Sequence, residues 1–213
     1  MGYSHYWYKQ REVAPEKFDA IVADFSKLVI ALDDMGVKLA GGRGTGLPEI
    51  NSEIVRFNGS ENCGHPKNDA VVIPWPSKGA TGVMDPKAVG VDGNWFAGTT
   101  LDTRMCGGDC SYETFSFTRV LPDKGRPYAH DDERPDLFFD CCKTAYRPYD
   151  VAVTAFLIVA KNHLGDDIKV SSDGEDEQWY DAKRLCYINL GYGPEFALDK
   201  ENGELKRKQL SAA

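Results

Sequence analysis

The chain has 213 residues, 42% hydrophobic and 11% aromatic, which excludes intrinsic disorder and suits one folded domain around a single core. Its 33 acidic and 25 basic residues give a formal charge of −8. With Lys206-Arg207-Lys208 as the one dense basic run, that balance disfavours non-specific nucleic-acid binding and suits solubility or docking on a basic protein.

The opening residues 1–9 lack an apolar leader, and nothing approaches the about 20 consecutive apolar residues of a membrane span; a cytoplasmic chain without membrane contact is expected. The first element in chain order is a helix over Pro15–Asp34, where Phe18, Ile21, Val22, Phe25, Leu28, Val29 and Leu32 recur at helical spacing. Pro15 and Glu16 suit its first turn and Gly36 its stop; its apolar stripe predicts packing on a sheet. Residues 37–40 and 50–57 read as two antiparallel strands joined by the glycine-rich turn 41–48. That turn looks like a phosphate cradle, but no Gly-Lys-Ser/Thr opens a helix after it, so a hairpin loop is the reading.

Residues 58–111 form a Gly/Pro/Cys-rich insertion with strand-like islands at 70–75 and 95–101, a length that usually carries function or a metal brace. Strands follow at 112–120 and 137–142, flanking a polar loop. A second helix over about 148–164 is apolar on most faces, closes at Gly165, and is expected to be the most buried. A strand over Ile168–Ser172 leads through Asp173-Gly174 to a third helix, opened by Glu175, Asp176 and Glu177 and stopped by Gly191. The chain is therefore expected to be a single α+β domain over 1–198, mainly antiparallel sheet packed by about three helices, with a polar, mobile tail at 199–213.

Two residue sets could carry chemistry. Cys106-Gly107-Gly108-Asp109-Cys110 places two thiols four apart across a glycine knuckle, with Cys63 and His65 upstream; four such groups can hold structural zinc in a tetrahedron. The spacing is not a CxxC pair, so free or core thiols are the competing reading. Cys141-Cys142 fall on a strand where neighbours face opposite sides, and Cys142 beside Lys143 could be an activated thiol or a buried one. The second set is Lys143, Arg147, Tyr149 and Asp150 at the entry to the second helix, with Asp173 and Trp179 at the entry to the third. It could form a pocket for a small anionic ligand such as a nucleotide, with Lys143 and Arg147 as clamps and Glu113 or Asp173 as acid or base. Capping and core packing are the alternative for the same residues.

Several blocks resemble a family of uncharacterised bacteriophage and prophage proteins: Met1-Gly2-Tyr3-Ser4-His5-Tyr6-Trp7, Cys142-Lys143-Thr144-Ala145-Tyr146-Arg147-Pro148-Tyr149-Asp150, and Ser172-Asp173-Gly174 with Trp179. The likeness extends to Trp75, Trp95-Phe96 and Gly108-Asp109-Cys110-Ser111. It brings no activity and no catalytic residues. It implies an accessory role in the host cytoplasm; with the acidic charge it suits binding a host protein or sequestering a small molecule, and the Lys143, Arg147, Glu113 and Asp173 set leaves an enzyme acting on a nucleotide or similar anion as the alternative.

Overall fold

The computed structural model describes residues 3–65, 67, 71–72, 103–104, 106–123 and 127–208. The described chain is α+β with three α-helices and antiparallel sheets, as expected. A strand that the hydrophobic pattern does not announce, β1 (Ser4–Gln10), is central: it pairs antiparallel with β8 (Leu137–Lys143) on one side and β9 (Ile168–Ser172) on the other. Its buried residues are His5, Trp7 and Lys9, while Tyr6 and Tyr8 point outward. Two polar side chains thus occupy inward positions, which hides the period-2 signal.

Helix α1 (Pro15–Asp34) buries Phe18, Ile21, Phe25, Leu28 and Leu32. Its stripe faces both a second helix and a sheet: Phe25 lies 5.3 Å from the ring of Phe57 and 5.1 Å from that of Phe156. Expected as one strand, residues 50–57 instead split. β3 (Glu49–Ile50) turns back at Asn51, whose carboxamide oxygen accepts the N–H groups of Glu53 and Ile54, into β4 (Ile54–Gly59). Asparagine closes such turns with its own side chain. β4 is also paired with β2 (Leu39–Ala40) and β7 (Phe115–Thr118). Within the insertion, β5 (Val71–Val72) pairs with β6 (Thr103–Arg104); the island at 95–101 and most of that at 70–75 lie outside the described residues.

Helix α2 (Asp150–Leu164) is buried continuously from Asp150 to Ala160, as its all-round apolarity predicts. Phe156 sits at the centre, 5.0 Å from the rings of both Phe115 and Phe117. Helix α3 (Tyr180–Leu190) follows one 3-10 turn with a reciprocal Glu175/Gln178 cap and ends at Gly191 with φ 81°, in the left-handed region that glycine tolerates. The expected polar tail differs in part. β10 (Phe196–Leu198) and β11 (Leu205–Arg207) form a hairpin that buries Leu205, so one apolar side chain ties down a polar segment.

Candidate functional site

The cysteine knuckle is built by glycines. Asp109 N–H donates to Cys106 O at 3.1 Å across Gly107 and Gly108, whose φ values are 63° and 85°, a conformation that costs a residue with a Cβ. Gly59, at the end of β4, lets the knuckle approach: a Cβ there would stand 2.1 Å from Cys110 O, and Cys110 N–H donates to Ser60 O at 3.0 Å. Cys63 and His65 follow β4 directly and so meet the knuckle.

Cys63 Sγ lies 3.8 Å from Cys106 Sγ, while His65 Nδ1 lies 3.6 Å from Cys106 Sγ and 3.3 Å from Cys110 Sγ. All four ligand atoms fall within 4.8 Å of one another. A tetrahedral ion with metal–sulfur bonds of about 2.3 Å and a metal–nitrogen bond of about 2.0 Å has S···S edges of about 3.8 Å and S···N edges of about 3.5 Å. The three distances match those edges. The thiols are free and buried, so the group is close enough to bind a metal ion. Burial, then Cys63 and Cys106, push the Cys110 thiol up; a divalent cation acts in the opposite direction by stabilising the thiolate.

Arg147 holds the knuckle from outside. Its Nη1 donates to Asp109 O at 2.5 Å and to Ser111 O, and its guanidinium lies over the Tyr112 ring at 5.2 Å. Lys143 Nζ approaches the same ring at 5.8 Å. Glu113 accepts the backbone N–H of Lys143 at 2.7 Å, and Tyr149, fully buried, donates its hydroxyl to Glu113 O at 2.7 Å. Four residues expected at an anion pocket thus gather around Tyr112 and join the end of β8 to the knuckle.

Asp150, Asp173 and Trp179 lie elsewhere. Asp150, wholly buried, meets His5 Nε2 at 2.7 Å, accepts Thr144 Oγ1 at 2.5 Å, and faces Arg104 Nη2 at 3.8 Å. Burial raises the Asp150 pKa, but His5, Arg104 and Thr144 outweigh it and hold the carboxyl below its usual range. Arg104, buried two residues before Cys106, donates to Asp181 at 2.6 Å and stacks on Tyr146 at 4.6 Å. Ser172 Oγ reaches His5 Nδ1 at 3.0 Å, and Trp179 packs edge-on against the His5 ring at 5.4 Å. Asp173 accepts the Ser4 N–H at 3.0 Å and the Tyr6 hydroxyl at 2.9 Å. His5 and Thr144 fall within the blocks at 1–7 and 142–150 without a pattern that marks them as site residues, nothing in the sequence marks Arg104, and the contacts that unite these residues are far apart in sequence.

Cys142 is fully buried against Glu113 O, and burial pushes its thiol up, whereas Cys141 is exposed; the two face opposite sides, and Cys142 has the surroundings of a core thiol rather than of an activated one. Among the described residues, no helix is long and apolar enough to cross a membrane. Comparison with family models, curated proteins and solved structures gives no match.

Proposed function

We propose that this chain is a zinc-braced accessory protein of phage or prophage type that acts in the host cytoplasm by binding a host protein. The observation that carries the zinc assignment is that three ligand-to-ligand distances among Cys63, His65, Cys106 and Cys110 match tetrahedral edges while all four atoms lie within 4.8 Å of one another. Three thiolates and one imidazole select zinc over harder cations, and four protein ligands fill its coordination sphere, which makes the ion structural rather than catalytic. Arg147 supplies the outer support such sites use, fixing the knuckle through carbonyls next to a ligand.

The accessory role rests on the resemblance of the blocks at 1–7, 142–150 and 172–179, and on the charge of −8. A cleft of about 650 Å³ beside β9 is lined by the four carboxylates of residues 173–177 and by Asp199, against Lys200 and Lys208. That lining favours a basic partner surface over a nucleotide or other small anion, and it weighs against the nucleotide-enzyme reading because Lys143 and Arg147 stand apart from it.

Zinc content per chain tests the assignment. Protein purified without added metal carries one zinc, Cys106→Ser and Cys110→Ser each lose it, and cobalt in its place shows the d–d bands of a tetrahedral thiolate site. Affinity capture from host cells tests the role, with partner loss expected when the carboxylates at 173, 175 and 177 are replaced by Lys.

A further inference from the structure

We propose that Ser172 is a nucleophile, activated by His5 and Asp150, for acyl esters that carry a positive charge. Its residues are separate from the four metal ligands, so it stands or falls independently of the zinc reading.

Three side chains from three elements form one hydrogen-bonded line. Ser172 at the end of β9 meets His5 Nδ1 at 3.0 Å; His5 Nε2 on β1 meets Asp150 Oδ1 at 2.7 Å. The register places this line: His5 pairs directly with Ser172 across the β1–β9 ladder. The Asp150 carboxylate only accepts, so Nε2 carries the ring proton, and the Nδ1 lone pair is left for the Ser172 hydroxyl. Thr144 holds the other side of the same carboxylate oxygen at 2.5 Å. His5 and Asp150 are wholly buried, whereas Ser172 is half-buried and lines the 650 Å³ cleft. A nucleophile hydrogen-bonded to a base, and that base oriented by a third group, is the arrangement that makes serine reactive; here the two ring nitrogens exchange the roles they have in serine proteases.

Gly174 N–H also donates to Ser172 Oγ at 3.0 Å, which fixes the oxygen's position. Gly174 itself has no room for a side chain, since a Cβ would stand 2.2 Å from Tyr3 Oη. On the carboxylate's far side, Asp150 Oδ2 and Arg104 Nη2 face each other at 3.8 Å without a hydrogen bond, so the carboxylate's side-chain hydrogen bonds run through Oδ1 to His5 and Thr144.

The step balances with water as co-reactant. Ser172 Oγ bonds to the ester carbonyl carbon while its proton passes to His5 Nδ1; the ester C–O bond then breaks and the leaving alcohol takes that proton. Water next attacks the acyl-serine, gives its proton to His5, and releases the acid as Ser172 Oγ regains a proton. Asp150 acts as a positioning residue. Asp176 and Asp199 are paired with Lys183 and Lys206, and the remaining cleft carboxylates, Asp173, Glu175 and Glu177, outnumber Lys200 and Lys208 and set the substrate class, because they attract a cation and repel an anion.

The experiment uses the full chain with a fluorophosphonate, which phosphonylates an activated serine and releases fluoride, read by intact mass and peptide mapping. The expected result is one adduct, on Ser172, absent in Ser172→Ala and in guanidine-denatured protein. Labelling should be about 100-fold slower in His5→Gln, with a native melting transition showing that this variant is folded. The 4-nitrophenyl ester of a cationic acyl group should then show kcat/KM at least about tenfold above that of an anionic one. No adduct on native protein, an adduct elsewhere, or equal labelling after denaturation overturns the nucleophile. Should His5→Gln fail to fold, the native and denatured comparison still decides. Equal or faster turnover of the anionic ester overturns the substrate class.

Discussion

At the scale of single residues, two buried ionisable groups behave oppositely. Asp150 is compensated by His5, Thr144 and Arg104, so Asp150→Asn removes the charge that its neighbours were arranged around and should cost about 3 kcal/mol in denaturant titration near neutral pH. The folded pKa lies below the unfolded value, so this stabilisation is complete above about pH 4 and is lost as the pH falls through the folded pKa. The gap between variant and wild type therefore narrows in acid. Lys9 carries no comparable partner: burial lowers it to about 8, with only Asp140 opposing. Burial makes the folded chain release this proton at lower pH than the unfolded chain does, so the unfolded chain binds more protons between about pH 8 and about pH 10.4, and stability rises with pH across that window. Lys9→Met should raise stability by about 1–3 kcal/mol at pH 7 and by much less at pH 10. Neither role could be read from the chain. Asp150 stands next to Tyr149 in a capping-like context, and its partners His5 and Arg104 are brought to it only by the β1–β8 ladder and the insertion.

The elements divide by how strongly their periodicity is written. α1 announces its stripe, α2 its all-round apolarity, and α3 its acidic entry and Gly191 stop, and all three form where expected. β1 does not, because His5 and Lys9 take inward positions that the hydrophobic pattern assigns to apolar residues. β3 and β4 fuse in the pattern because only Asn51 marks the turn between them. The β10–β11 hairpin is carried by short apolar segments in a charged stretch. The energetic centre of this arrangement is Phe156, which joins α1, through Phe25, to β7, through Phe115 and Phe117, with rings at 5.0–5.1 Å. Phe156→Ala should cost about 3–5 kcal/mol in equilibrium unfolding, with the cavity left behind adding to the lost transfer energy.

Across the whole molecule, the four candidate ligands gather the two ends of the insertion beside the α+β body. Cys63 and His65 leave β4, while Cys106 and Cys110 enter the segment that leads to β7. The ligand set was legible as residue types and spacing, but its closure was not: it depends on Gly59 admitting the knuckle and on Arg147 holding it. Arg104, two residues before Cys106, links the same segment to Asp150 and Asp181. Loss of the ion should therefore loosen the insertion and the buried network together, and a chelator should lower the melting temperature by about 10 °C, as about 4 kcal/mol of binding energy is removed from a domain of this size.

The most direct test of the metal-braced account is native mass spectrometry of the chain purified without added metal, alongside Cys106→Ser. The account predicts one zinc per wild-type chain and none in the variant. A folded wild-type chain that carries no metal, and binds none when zinc is supplied, would contradict it.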